Sequence, residues 1–360
     1  MMLTIQTLFN DPNIVNAVIQ RVLQTRKDTI YWQQYLDFRR TTTRVFKDYI
    51  GQVTGVMAGS INSRYGEKPI RERRNIGSGY GEIAYLGDRY QISIDRLSDL
   101  QDLIDKYNAA KPEDQKAAMR DIVDFIYDDY RQVLLAPHKR MDIIVGSLLM
   151  TGKAQVKNKD DNAGGIDLLD IELPFKFITP EAEAKSTFIT YLQQKVNELR
   201  SIYGVFPKMI MSRGTFVKNI IGSSEFGDKF KMQLTGNEMY MSTGLITSQL
   251  ASSVFTGIGL PAIEIKEDYV LDQSGKNVQI YADDHITLIP QDKVGYMRFH
   301  TPYEAVDGVP GRNYTQADGD MLISGYKDGN GRYLEYTAEW IPQIANPNLI
   351  VNFDLSTMNA

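Results

Sequence analysis

The residues of this chain that could perform chemistry are few and scattered. Asp283, Asp284 and His285 are consecutive, and two carboxylates beside an imidazole could bind a metal ion or act in acid–base catalysis. The two other histidines, His138 and His300, complete no metal-ligand spacing with them. We favour a turn before a strand for residues 283–285, and on that interpretation their replacement by alanine would cost little stability, within about 0.5 kcal/mol.

Other patterns that resemble catalytic or binding motifs are weak. The glycine-rich run 77–81 superficially resembles a phosphate-binding loop, but no helix pattern and no Lys-Ser/Thr pair follow it. Asp128 and Asp129 are adjacent on a predicted helix, so they point to different faces and would not form a carboxylate dyad. No G-x-S-x-G element predicts a nucleophile. We therefore expect no catalytic, cofactor-binding or metal-binding residues.

Composition and charge narrow the class of protein. The 360 residues are 42% hydrophobic and 24% charged, with a formal net charge of −5, which argues against a general nucleic-acid binder. Cysteine is absent, which excludes disulfides and thiolate metal sites. The N-terminus is too polar for a secretory signal, and the most apolar run, 143–150, is too short to span a bilayer.

The charge is unevenly distributed along the chain. Residues 1–90 hold 13 basic and 8 acidic side chains, whereas residues 95–130 hold 5 basic and 10 acidic ones. A basic N-terminal part and an acidic stretch after it suggest complementary surfaces on neighbouring molecules. Chance variation in the charge of solvent-exposed side chains explains the imbalance equally well.

The stretch 112–150 is the element that must position the rest. Its apolar residues recur at steps of three and four, which predicts a long amphipathic helix that we call the spine helix, about 113–150. Pro137 lies inside the pattern and predicts a kink or break near Ala136. Gly152 is a plausible C-cap. A helix of this length typically supports other elements laid across it.

Two segments before the spine helix look unable to form a core of their own. Residues 30–47 mix aromatic and basic side chains without a clean period, which favours an inter-subunit contact over a core, although both remain open. Residues 48–90 carry few large aliphatic side chains and read as an extended two-stranded loop. The residues predicted to form inter-subunit contacts are Tyr31, Trp32, Tyr35, Phe38, Arg39, Arg40, Arg71, Arg73 and Arg74.

The order of these parts resembles the major capsid proteins of tailed phages with the HK97 fold, within them the lambda-like major capsid protein E family. The resemblance covers nearly the whole chain and rests on layout and local patterns. The matching segments are Leu8-Phe9-Asn10, the basic and glycine-rich stretch 65–87, Leu148-Leu149-Met150-Thr151-Gly152-Lys153, residues 270–276, Ile286-Thr287-Leu288-Ile289-Pro290, Gly295-Tyr296, and residues 339–348.

The resemblance implies an α+β fold divided into five parts: an N-arm (1–47), an extended E-loop (48–92), the spine helix, a peripheral domain (93–179 and 301–360) and an axial domain (180–300). Because the aromatic and basic run from Tyr31 to Phe46 has no evident core of its own to serve, we expect 1–47 to be needed for assembly but not for folding of the rest. The chain starts directly at the N-arm, so we expect a separate scaffolding protein or a processed chain.

The function that the resemblance implies is that of a structural shell subunit rather than an enzyme. It would self-assemble into pentamers and hexamers of an icosahedral head that encloses double-stranded DNA without sequence-specific binding. Expected partners are other copies, a scaffolding protein, a portal and decoration proteins, with no membrane. The expected location is the virion, after assembly in the host cytoplasm. The alternative is an α/β hydrolytic enzyme with a site near Asp283, Asp284 and His285.

Overall fold

The computed structural model describes residues 2–25, 30–50, 77–156, 169–223, 225–227, 247–271, 275–328 and 331–359. The helices within these ranges are α1 (Ile5–Asn10), α2 (Pro12–Thr25), α3 (Ile94–Ala109), α4 (Gln115–Thr151), α5 (Phe188–Tyr203), α6 (Arg213–Thr215), α7 (Ser248–Gly257) and α8 (Ser356–Asn359). None of these helices is both long and apolar enough to cross a bilayer.

Several short 3₁₀ turns and a π-helical turn, Phe216–Ile221, also occur, and the other elements are strands. They are β1 (Leu36–Arg40), β2 (Val45–Ile50), β3 (Gly77–Glu82), β4 (Ala84–Ile92), β5 (Lys153–Val156), β6 (Leu169–Glu172), β7 (Lys176–Ile178), β8 (Lys208–Ser212), β9 (Ala262–Lys266), β10 (Tyr269–Leu271), β11 (Asn277–Gln279), β12 (His285–Ile289), β13 (Gly295–His300), β14 (Tyr314–Gln316), β15 (Leu322–Asp328), β16 (Gly331–Ile344) and β17 (Val351–Asp354). Helices and strands are mixed along the chain, which confirms the predicted α+β class.

The larger sheet is built around the 14-residue strand β16, which has partner strands on both sides. Strand β4 lies antiparallel along one side, while β15 and β13 follow each other along the other side. Strand β1 then adds in parallel to β13, and β14 adds to β15. This sheet, α1 to α4 and the aromatic residues near the N-terminus share one hydrophobic core.

The smaller sheet has the order β7-β17-β12-β8-β9 and packs with α5 and α7 around a second core. Its central strands β12 and β8 carry fully buried side chains such as Ile286, Leu288 and Met211. The final strand, β17, lies in this sheet between β7 and β12, although the resemblance groups residues 301–360 with the peripheral domain. Strand pairing over such long separations leaves no local signal in the sequence, and the domain boundaries stay predictions.

Helix α4 is the predicted spine helix and runs for 37 residues. Gly152 ends it in the left-handed conformation, with φ of 68°, and donates its N–H to the carbonyl of Leu148, as predicted for a C-cap. Of the predicted kink or break near Ala136, the break is wrong, because the helix continues through Pro137. Pro137 is buried, and packing of α4 against α2, α3 and β16 offsets the hydrogen bond that a proline cannot donate.

Strands β2 and β3 form an antiparallel hairpin, with Val45 opposite Glu82 and Ile50 opposite Gly77. The predicted two-stranded form of residues 48–90 is confirmed at this base, and the intervening residues 51–76 lie outside the described ranges. The last part of that segment, β4, is instead a full member of the larger sheet. The hairpin thus continues from a sheet strand with only Ile83 between β3 and β4.

Candidate functional site

Asp283 and Asp284 form a turn immediately before β12, as the favoured interpretation predicted. Ser212 ends β8 and caps α6, and its hydroxyl donates a hydrogen bond to Asp283 Oδ1 at 2.5 Å. The backbone N–H of Asp284 donates to Thr215 Oγ1 at 2.8 Å, and the Asn359 side chain donates to Asp284 Oδ1. The two carboxylates thereby join the ends of β8 and β12 to the C-terminal helix.

The geometry of this turn does not form a nucleophile–base pair. The Ser212 side chain is fully buried and donates to a carboxylate rather than to an imidazole. His285 is the register partner of Asp354 on β17. Burial raises the pKa of Asp354, but hydrogen bonds from Ser356 and the nearby His285 lower it overall. No cluster of metal-ligating side chains occurs among the described residues, and these groups act as turn and cap.

The predicted contact residues Tyr31, Trp32 and Tyr35 lie inside the subunit, each at most 1% exposed. Trp32 stacks on His138 of α4, with ring centroids 5.7 Å apart, and Phe38 meets both Trp32 and Trp340 edge-on at 4.8 and 5.2 Å. These three aromatic residues are therefore part of the core, which is the alternative that the sequence left open. The expectation that they serve no internal core is wrong, because α4 and β16 supply one from distant parts of the chain.

A buried carboxylate fixes this aromatic segment to α4. Asp142 is fully buried, accepts the backbone N–H of Trp32 at 2.8 Å and pairs with Lys139 at 3.3 Å. Burial raises the pKa of Asp142 to about 6, although the Trp32 hydrogen bond and Lys139 act in the opposite direction. Asp142 was not predicted from the sequence. Its signal was a single acidic residue inside the apolar run 141–145.

A second polar group ties the same segment to the smaller sheet. The hydroxyl of Tyr35 donates to Glu264 Oε1 at 2.9 Å, and Lys266, which is 5% exposed, pairs with Glu264 at 2.6 Å. The Lys266 ammonium also lies 5.2 Å from the ring centre of Tyr31, within cation–π range. The aromatic segment is thus fastened both to the spine helix and to β9.

The predicted basic contact residues have different positions. Arg39 and Arg40 are exposed on β1, an edge strand of the larger sheet. Arg39 lies over the ring of Tyr296 at 4.7 Å, while Arg40 donates to Thr301 at 2.8 Å and lies 3.5 Å from Asp320. Arg71, Arg73 and Arg74 lie outside the described residues. Arg39 and Arg40 therefore remain accessible to a neighbouring molecule.

An acidic surface occupies α3 and the first half of α4, two helices that pack together. On each helix three exposed carboxylates are spaced by three and four residues, so they share one side of the helix. We call this set the acidic face: Asp95, Asp99, Asp102, Asp121, Asp124 and Asp128. Within the subunit Arg21 pairs with Asp124, and Arg96 pairs with the adjacent Asp129 at 2.9 Å.

No protein family and no curated protein matches the sequence. Among solved structures, a protein assigned as a prophage capsid protein in E. coli CFT073 matches with a TM-score of 0.57 and 12% identity, covering 95% of this chain and 99% of that chain. The chain has the fold of phage capsid proteins. The predicted HK97-like α+β capsid fold is thereby confirmed.

A second match supports the same fold. A phage-related protein from Bordetella bronchiseptica RB50 matches with a TM-score of 0.52 and 8% identity, covering 95% of this chain and 96% of that chain. Both matches cover 95% of this chain, so the shared fold extends over nearly its whole length. The boundaries of N-arm, E-loop, peripheral domain and axial domain stay predictions.

Proposed function

We propose that the protein is the major capsid protein of a tailed phage. Copies of it would form pentamers and hexamers that close into an icosahedral head around double-stranded DNA. The observation that carries the proposal is the capsid fold, matched across 95% of this chain and 99% of a prophage capsid protein. Other copies, a separate scaffolding protein, a portal and decoration proteins are its proposed partners, and the virion is its proposed location.

The proposed contact between subunits pairs the acidic face with a basic segment of a neighbour. Arg71, Arg73 and Arg74 occupy three of four consecutive positions, interrupted only by Glu72. Because the acidic face remains largely exposed in the subunit, it is the natural counterpart for these arginines. Exposed ion pairs contribute only about 0–1 kcal/mol each, so no single pair would decide assembly. Repeated at every contact of a closed shell, the cluster would matter and would weaken with salt.

Charge reversal tests this contact. Arg71→Glu, Arg73→Glu and Arg74→Glu together are expected to abolish or greatly slow assembly while leaving the melting temperature of the subunit nearly unchanged. Single reversals should be tolerated, and wild-type assemblies should loosen as salt rises. A matched variant that also carries Asp95→Arg, Asp99→Arg and Asp102→Arg should recover assembly. Normal assembly at low salt by the variant with all three arginines reversed would show that this contact does not drive assembly.

Negative-stain microscopy of the purified protein, with and without the scaffolding protein, tests the function itself. Closed shells, tubes or rings of subunits are expected. A uniform small monomer under both conditions would contradict the proposal, and measured hydrolytic activity lost on Asp283→Ala would favour the enzyme alternative instead.

A further inference from the structure

The β2–β3 hairpin continues from β4, a strand of the larger sheet. Among the described residues, its strands make extensive contacts only with each other. One leg, β3, continues into β4 through Ile83, which is buried. The other leg, β2, begins after the turn 41–43, whose Thr41 N–H donates to the Phe299 carbonyl at 2.8 Å. The direction of the hairpin therefore depends on a few residues at its base.

Arg44 supplies a two-point contact at that base. Its guanidinium makes two hydrogen bonds to the Glu339 carboxylate, Nε to Oε2 at 3.1 Å and Nη2 to Oε1 at 2.6 Å. This two-point geometry fixes the orientation of both side chains, which a lysine cannot do. The Arg44 backbone carbonyl also accepts the N–H of Ile83 at 3.0 Å, so the same residue joins both legs.

Glu339 is held rigidly enough to act as an anchor. It lies within β16, flanked by register partners on β13 and β4, and is only 2% exposed. His300 Nδ1 lies 2.8 Å from Glu339 Oε2 and supports the carboxylate from the neighbouring strand. A buried carboxylate that loses one of its partners is strongly disfavoured, which favours the closed pair.

We propose that Arg44 and Glu339 form a latch that sets the direction in which the β2–β3 hairpin leaves the subunit. Arg44 is a positioning residue: it acts on a neighbouring subunit only through the hairpin that it orients. The proposal rests on the proposed function in one respect, since an oriented hairpin matters for contacts between copies. The latch itself is a property of the single subunit and can be measured without assembly.

The absence of cysteine makes the direction of the hairpin measurable by site-specific spin labels. Labels at Asp48→Cys on β2 and Asp99→Cys, an exposed site on α3, give a distance distribution by pulsed electron paramagnetic resonance. With Arg44 intact we expect one narrow distribution. Arg44→Ala should broaden it by at least twofold, and Arg44→Lys should give an intermediate width. An unchanged distribution in Arg44→Ala would overturn the latch.

A matched control separates this effect from the loss of any ion pair in the sheet. Arg89 on β4 pairs with Glu335 on β16 at 3.3 Å and has a similarly exposed side chain, 50% against 53% for Arg44. Arg89→Ala should leave the distribution narrow. Equal broadening in Arg89→Ala would contradict a specific role for Arg44.

The double variant Arg44→Ala/Glu339→Gln separates positioning from stability. Replacing the buried Glu339 carboxylate, which in Arg44→Ala has lost its arginine but keeps His300 2.8 Å away, by a neutral amide should recover much of the melting temperature lost in Arg44→Ala, whereas the distribution should stay broad. Recovery of a narrow distribution along with the melting temperature would mean that general destabilisation moved the hairpin, and would refute the latch. If the variants change the distance distribution as expected but the wild-type protein forms no assemblies, the result would count against the proposed function and not against the latch.

Discussion

Replacing Asp142 with asparagine tests whether a buried charge limits the stability of the joint between the aromatic segment and α4. Asparagine keeps a side-chain oxygen that can accept the Trp32 N–H, which Asp142 accepts at 2.8 Å, but carries no charge. The carboxylate is fully buried, and Lys139 at 3.3 Å is its paired cation. Asp268 adds a repulsive charge in the vicinity.

The magnitude follows from the raised pKa of Asp142. Burial moves it from the ordinary value of 3.8 to about 6 in the folded state. A rise of this size corresponds to on the order of 3 kcal/mol of unfavourable free energy when the group is charged. The pKa of Asp142 is higher in the folded than in the unfolded state. The wild-type subunit is therefore most stable, relative to the Asp142→Asn variant, below about pH 4, and it loses this stability as the pH rises through about 6.

The assay is urea unfolding of the unassembled subunit at a series of pH values. The free energy of unfolding of Asp142→Asn minus that of wild type should increase by about 3 kcal/mol between about pH 4 and pH 7. Asp128→Asn, at an exposed position on the same helix, controls for loss of a surface carboxylate. A difference that does not vary with pH would refute the burial argument. A difference that falls as pH rises would show that the Lys139 pair outweighs burial.

Further predictions concern the close packing of α4, the turn at Asp283 and the N-terminal segment. Gly146→Ala would place a Cβ 2.3 Å from the Ile280 carbonyl oxygen, so urea unfolding should show a loss of about 1–3 kcal/mol; an unchanged midpoint would contradict the close approach. Asp283→Ala removes the acceptor of the Ser212 hydroxyl and should cost about 1–3 kcal/mol, more than Asp99→Ala at an exposed position, which revises the small cost expected for a simple turn. Deleting residues 1–40 removes β1 and the Trp32 contacts, so calorimetry should show loss of the cooperative unfolding transition. A normal transition would support the expectation that the N-terminal segment is not needed for folding.

Periodicity predicted the elements whose burial follows local spacing. The stripe of α4, the C-cap at Gly152 and the turn before β12 depend on neighbouring residues, and the structure contains all three. The break at Pro137 was wrong because a local rule was overridden by tertiary packing on α4. Local rules thus predicted where elements lie better than how far they continue.

Long-range pairing explains what the sequence did not reveal. Tyr31, Trp32 and Tyr35 show no clean period because they lie in and beside a short 3₁₀ turn, and their burial comes from α4, β16 and β9, far along the chain. The Arg44–Glu339 pair joins residues 295 positions apart, so no window of sequence contains both. Contacts of this kind are visible only in the three-dimensional structure.

A cryo-electron microscopy reconstruction of the assembled particles tests the central claim, that the chain is the building block of a closed shell. We expect five- and sixfold rings of subunits with the fold described above, with the acidic face of each subunit against residues 71–74 of a neighbour. Particles without such rings, or an acidic face that points into solvent at every contact, would contradict it.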